Sequence, residues 1–136
     1  MKKALGIDLG DARVGVAISD DLGMLAHPLE TIAVKTSDVK KRILTLVAER
    51  GAQTIIVGMP RNMDGTYGPA ATKAKEFIEA LRSSTEIKVI AWDERLTTVS
   101  AQRSLHEAGK NTKKQRPIID QVAAQIILQG WLDSVS

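Results

Sequence analysis

The chain has 136 residues, 43% of them hydrophobic and 26% charged, which predicts one domain spanning 1–136 that buries a core without cross-links. It has no cysteine and only two histidines, His27 and His106, which excludes disulfides, thiolate zinc sites and cysteine nucleophiles. The sequence has no apolar run of membrane-spanning length and no signal-peptide pattern. We therefore expect a cytoplasmic protein with no membrane partner.

The net charge of +3 is too small by itself to indicate a polyanionic partner, so its distribution matters more. Lys113, Lys114 and Arg116 lie in a polar stretch, residues 109–116, that contains no acidic residue. Aromatic residues make up only 3% of the chain, which argues against a stacking platform for single-stranded bases. If nucleic acid is the partner, we expect this stretch to hold its backbone and to be mobile in the free protein.

Three strands open the predicted order of elements. Residues 5–9 and 13–19 read as two strands joined by a turn, and a third strand lies within 24–34. Ser37-Asp38 can cap a helix that ends at Gly51.

Strands and helices alternate in the second half of the chain. The apolar run 54–58 predicts a buried strand, Pro69 opens a second helix, and residues 87–92 form a fifth strand. A helix from Thr97-Thr98 to Gly109 and a last helix from Pro117 complete the prediction. Hairpins followed by βαβ crossovers predict an α/β fold, a five-stranded mixed sheet flanked by helices, with ligands beyond the carboxyl ends of its parallel strands.

Three acidic residues stand where this topology can bring them to one edge of the sheet. Asp8 lies in the apolar first strand, Glu94 follows Asp93 at the end of the fifth strand, and Asp120 lies in the first turn of the last helix. Each also has a plain structural interpretation: turn contacts, salt bridges and the helix dipole, respectively. Because neighbouring strand residues point to opposite faces, only one of Asp93 and Glu94 can join Asp8.

Convergent carboxylates without histidine or cysteine favour Mg²⁺ or Mn²⁺ as the bound cation. Cations held in this way suit the hydrolysis of phosphodiester bonds. The glycine-rich loop 57–69 leaves the fourth strand at the same edge, and its Arg61 and Asn62 can donate to a phosphate. The loop lacks the Gly-Lys-Ser/Thr ending of a P-loop, and an ordinary connecting loop is an equally good interpretation.

Four segments, in order along nearly the whole chain, resemble the YqgF (RuvX) family. They are Gly6-Ile7-Asp8-Leu9-Gly10, Val57-Gly58-Met59-Pro60 with Asn62-Met63-Asp64-Gly65, Asp93-Glu94-Arg95-Leu96-Thr97-Thr98, and Asp120 with Ala123-Ala124 and Ile127-Leu128-Gln129. The resemblance implies a ribonuclease H-like fold, related to the RuvC type of Holliday-junction resolvase. It also implies a nuclease that matures the 5′ end of the 16S ribosomal RNA precursor, and it makes Asp8, Glu94 and Asp120 the catalytic, metal-binding acids.

The resemblance further implies precursor ribosomal RNA and pre-ribosomal particles as partners, with branched DNA as an alternative substrate. Two rival classes stay open. The first strand also resembles the phosphate loop of actin-like ATPases and sugar kinases, which close two such domains over a nucleotide. A non-catalytic RNA-binding assembly factor could keep this fold, although carboxylates that repel phosphate argue against a purely binding surface. Metal-dependent cleavage that is lost in Asp8→Asn would exclude the binding factor.

Overall fold

The computed structural model describes residues 3–60, 66–96 and 116–135, without the side chains of residues 116–118. Its strands are β1 (Lys3–Leu9), β2 (Arg13–Ser19), β3 (Ala26–Ala33), β4 (Ala52–Met59) and β5 (Lys88–Asp93). Its α-helices are α1 (Val39–Arg50), α2 (Pro69–Ser84) and α3 (Arg116–Val135), and a 3-10 turn covers Glu94–Leu96.

The five strands form one mixed sheet in the order β3-β2-β1-β4-β5. β1, β2 and β3 make an antiparallel meander, whereas β4 runs parallel to β1 and β5 runs parallel to β4. The carboxyl ends of β1, β4 and β5 therefore share one edge of the sheet, where β2 begins. The predicted α/β fold and its five-stranded mixed sheet are confirmed.

Helix α1 begins and ends at the predicted signals. The side chain of Asp38 accepts a hydrogen bond from the backbone N–H of Lys41 at 3.1 Å, which satisfies a donor of the first turn. Gly51 closes the helix in the left-handed conformation at φ +69°, which a residue with a Cβ adopts only at a cost.

The two faces of the sheet are covered by different helices. Helices α1 and α2 pack on one face over large aliphatic residues, and α3 packs on the other over small ones. A Cβ added at Gly6 would lie 2.6 Å from the Cβ of Leu128 and 2.8 Å from the carbonyl oxygen of Ala124. The absence of a side chain at Gly6 therefore lets α3 lie close against β1.

Three glutamines at four-residue spacing fix α3 to the edge strand β3. Gln121 donates to the Thr31 hydroxyl at 3.0 Å, and Gln125 donates to the carbonyl of Ala26 at 2.9 Å. Gln129 accepts a hydrogen bond from the N–H of Ala26 at 2.9 Å. These contacts set where the first turn of α3 lies on the sheet.

The sequence predicts Glu94 at the end of the fifth strand. In the structure it lies one residue beyond that strand, in the 3-10 turn. The helix predicted from Thr97-Thr98 to Gly109 lies outside the described residues. Within the part of the chain that is described, no helix combines the length and the apolar character needed to span a bilayer.

Candidate active site

A row of three residues crosses the middle of the sheet. Asp8 on β1 pairs with Gly15 on β2. On the other side of β1, Ile7 pairs with Val57 of β4, so Gly58 is the β4 residue in register with Asp8. Because side chains two residues apart on a strand share a face, Asp8 faces the same side as Gly6, which is the side covered by α3. An acidic side chain therefore stands on the α3 face with a glycine on either side.

The other two predicted acids lie over these two glycines. A Cβ at Gly15 would collide with the backbone carbonyl of Asp120, so α3 rests directly on β2 at this residue. The helix begins at Arg116, so Asp120 follows its first turn instead of lying within it as the sequence predicted. A Cβ at Gly58 would stand 3.3 Å from both Cγ and Cδ of Glu94. Since neighbouring strands are about 4.8 Å apart, Asp120 and Glu94 approach Asp8 from its two sides.

Asp8 and Glu94 are both buried, with 3% and 8% of their surface exposed. Burying a carboxylate is costly unless donors or a cation compensate its charge. Both acids have interaction partners within the protein, so the site is a polar cluster built into the α3 face rather than a pair of isolated charges.

In this structure the carboxylate of Asp120 is directed to Arg13. Arg13 Nε donates to Asp120 Oδ2 at 3.0 Å, across the start of β2. Among the described residues, no three His, Asp or Glu side chains stand close enough together to hold a metal ion. The assignment of Asp8, Glu94 and Asp120 as metal ligands therefore stays a prediction.

The donor set nevertheless fits a hard divalent cation. Asp8 and Glu94 offer carboxylate oxygens on one face of the sheet, where Mg²⁺ or Mn²⁺ would balance the cost of their burial. Asp120 has one oxygen engaged by Arg13, and its backbone already sits over the neighbouring strand.

Asp93, the neighbour of Glu94, is engaged elsewhere. Its Oδ1 accepts from the backbone N–H of Arg95 at 2.9 Å, and its Oδ2 lies 2.8 Å from Arg95 Nη2. Asp93 thus pairs locally with Arg95 while Glu94 is buried over Gly58. That only one of the two adjacent acids joins Asp8 stays a prediction.

Most predicted phosphate-binding residues lie outside the described residues. This holds for Arg61, Asn62, Lys113 and Lys114, and the side chain of Arg116 is likewise not described. Their roles, and the mobility expected for 109–116, stay predictions.

Arg13 is the residue that sequence reasoning missed at this edge. A signal existed, because Arg13 is the one cation in an otherwise apolar strand, and β2 runs antiparallel to β1. Its position at the start of β2 puts it beside the carboxyl end of β1, where Asp8 stands.

Comparison with known proteins identifies the family of this chain. The profile of the family described as "RuvX: Holliday junction resolvase" matches residues 2–134. A protein of Acetivibrio thermocellus named "Putative pre-16S rRNA nuclease" is 53% identical over 136 residues, covering 97% of this chain and 96% of that relative. A protein of Geobacillus kaustophilus with the same name is 46% identical, covering 97% and 98%.

Solved structures share the fold at low sequence identity. RuvC of T. thermophilus in complex with a Holliday junction substrate aligns with a TM-score of 0.59 at 17% identity, covering 99% of this chain and 96% of that one. The fowlpox virus Holliday junction resolvase aligns with a TM-score of 0.57 at 13% identity, covering 98% and 99%. The fold is thus that of RuvC-like resolvases. Because the family profile matches nearly its full length, the chain belongs to the RuvX family.

Proposed function

We propose that this protein is a nuclease that hydrolyses phosphodiester bonds with a divalent cation, Mg²⁺ or Mn²⁺, held by Asp8, Glu94 and Asp120. One observation carries the proposal. Asp8 is buried between two glycines, and the other two acids lie over those glycines. A chain that used these acids only for solubility would leave them exposed, because burying carboxylates costs free energy.

The bound cation would activate a water molecule and stabilise the leaving oxygen. The protein's own residues prepare the place for that chemistry. Gly15 and Gly58 let the helix turn and the Glu94 side chain approach the sheet closely, and Asp8 and Glu94 supply fixed negative charge in a site with little access to water. Asp120 enters from the N-terminal part of α3, which the glutamine contacts to β3 hold in place.

The 5′ end of the 16S ribosomal RNA precursor is the substrate we favour. The relatives that match this chain over nearly their whole length are named for pre-16S rRNA, and the family resemblance favours its 5′ end. Precursor RNA would be met in the cytoplasm on pre-ribosomal particles, and Lys113, Lys114 and Arg116 would hold its backbone without reading its sequence. Branched DNA is the second candidate, since the family is described as a Holliday junction resolvase.

The test compares the two substrates with one enzyme preparation. Purified protein with Mg²⁺ or Mn²⁺ is given a 16S precursor fragment and a four-way DNA junction, and the cleaved ends are mapped. We expect cleavage of the RNA and a loss of at least 100-fold in Asp8→Asn. Asp11→Asn is the matched control, because Asp11 is an exposed acid close by that pairs with Lys73 at 3.0 Å.

Each other outcome points to a different function. Cleavage confined to the junction would favour the resolvase, and RNA binding without cleavage by folded wild type would favour the assembly factor. Depletion of the protein in cells, followed by mapping of ribosomal RNA ends, would connect the activity to maturation.

A further inference from the structure

Arg13 occupies the entrance of the candidate site. It is the first residue of β2 and lies two positions before Gly15, so both share the α3 face of the sheet. β2 begins beside the carboxyl end of β1, since Val14 pairs with Leu9. Arg13 therefore stands on the same face as Asp8 and farther out toward the edge at which such sheets bind ligands.

The contact between Arg13 and Asp120 uses only part of each side chain. Arg13 Nε donates to Asp120 Oδ2 at 3.0 Å, and the two side chains are 31% and 16% exposed. Within 3–60, 66–96 and 116–135, neither side chain has a second hydrogen-bond partner. Both Nη groups of Arg13 and Oδ1 of Asp120 are thus uncommitted there.

Another arginine shows how a purely structural pair differs. Arg42 on α1 donates to both carboxylate oxygens of Glu30, from Nε to Oε2 at 2.9 Å and from Nη2 to Oε1 at 2.8 Å. That fork-to-fork geometry engages the whole carboxylate and draws the donors of Arg42 away from other ligands. Arg13 instead holds its carboxylate through Nε alone, at a site entrance.

We propose that Arg13 binds the substrate through its two Nη groups, which donate to a non-bridging phosphate oxygen, while its Nε positions Asp120. This inference rests on the proposed function, which it deepens by naming a residue that contacts the scissile strand. A guanidinium can serve both partners because its five donors form a rigid planar fork. It also offsets the repulsion between the phosphate and the acids around Asp8.

The first test measures binding without divalent cation, so that it does not depend on cleavage. A labelled single-stranded fragment of the 16S precursor is titrated in EDTA at several salt concentrations. Arg13→Gln should weaken binding about fivefold at 100 mM salt and lower the slope of log affinity against log salt by about 1, since one phosphate contact is lost. Arg42→Gln is the matched control: it removes the same charge and also breaks an ion pair, yet should leave the slope unchanged.

The second test separates positioning from charge. Arg13→Lys keeps the positive charge but offers one ammonium in place of the fork, so RNA affinity should stay within about twofold of wild type. Its single-turnover cleavage rate should fall at least tenfold, because one ammonium cannot hold Asp120 and the phosphate together. Melting temperatures of all variants are measured, and if Arg13→Gln fails to fold, the Arg13→Lys result decides.

Two results would overturn the proposal: wild-type salt dependence in folded Arg13→Gln, or wild-type cleavage by Arg13→Lys. If the wild type binds the RNA but never cleaves it, the nuclease proposal fails, while the binding measurement on Arg13→Gln still decides whether Arg13 contacts phosphate.

Discussion

The two faces of the central sheet are built from residues of different size. Along β1, Leu5 and Ile7 point toward α1 and α2, whereas Ala4, Gly6 and Asp8 alternate with them toward α3. The same contrast holds on β2 and at Gly58, whereas Ile56 of β4 and Ile90 and Trp92 of β5 are large residues on the α3 face. Large aliphatic side chains of β2 and β4 fill the first face, and Gly15, Ala17 and Gly58 lie on the second.

Residue size decides how near a helix comes to the strands beneath it. Large side chains keep α1 and α2 at a distance and bury much apolar surface, which is the main stabilising contribution to folding. Glycine and alanine let α3 touch the strands, so the backbone of Asp120 and the Glu94 side chain reach the neighbourhood of Asp8. The chemistry is therefore expected to depend on the α3 face, whereas the face under α1 and α2 is expected to contribute to stability alone.

The largest expected effect comes from an acid on the α3 face. Glu94→Gln keeps size and shape but removes a charge from the candidate cation site, so we expect cleavage to fall at least 100-fold with the fold retained. Asp93→Asn is the matched neighbour, because Asp93 pairs with Arg95 outside the site. Single-turnover rates and melting temperatures are compared. Equal losses in both variants would contradict the assignment of Glu94.

On the face covered by α1 and α2, shortening a buried side chain should lower the stability of the protein without changing its cleavage rate. Ile55 is fully buried under α1 and α2, so Ile55→Ala should lower the free energy of unfolding by about 2–5 kcal/mol. Denaturant titration measures the loss, and Ile55→Val should cost about 0.5–1.5 kcal/mol. Cleavage per folded molecule should stay at the wild-type value. A specific loss of activity would show that the two faces are not independent.

A small addition at Gly15 should disturb both properties to a moderate degree. The Cβ of Gly15→Ala would collide with the carbonyl of Asp120, so α3 must move at this residue, at about 1–3 kcal/mol and with about tenfold slower cleavage. Gly51→Ala provides the control. Its Cβ meets open space, but φ of +69° costs about 1–2 kcal/mol. If both variants lose a comparable amount of stability but only Gly15→Ala cleaves more slowly, the close approach of Asp120 to Gly15 is supported.

The smallest effect is expected at Asp20, an acid at the opposite edge of the sheet. The N–H of Met24 donates to its carboxylate at 2.8 Å and holds the pKa of Asp20 below its usual range. Because the pKa of Asp20 is lower in the folded state, its ionised carboxylate stabilises the protein at pH values above the unfolded-state pKa of about 4. This contribution is lost as the pH falls through the folded-state pKa. The difference in melting temperature between wild type and Asp20→Asn should thus shrink between pH 5 and about pH 2, whereas cleavage at neutral pH stays unchanged. A difference that does not vary with pH would contradict this role.

Local signals in the sequence determined the elements and their order. Alternating apolar residues marked β1 and β2, and Asp38, Gly51 and Pro69 marked helix ends, because periodicity and capping act over a few residues. The family resemblance and the topology together also selected Asp8, Glu94 and Asp120 as the acids to inspect. The glycines beneath two of them could not be assigned from the sequence, because their partners depend on strand register and on the position of α3.

Only the tertiary structure decided what these residues contact. Arg13 and Asp120 are 107 positions apart, and no local rule relates the start of a strand to a residue of a distant helix. The same holds for the glutamines of α3, whose partners on β3 lie about a hundred positions earlier in the chain. Such contacts follow from how α3 packs on the sheet, and packing is set by the shape of the whole assembled face rather than by any segment of it.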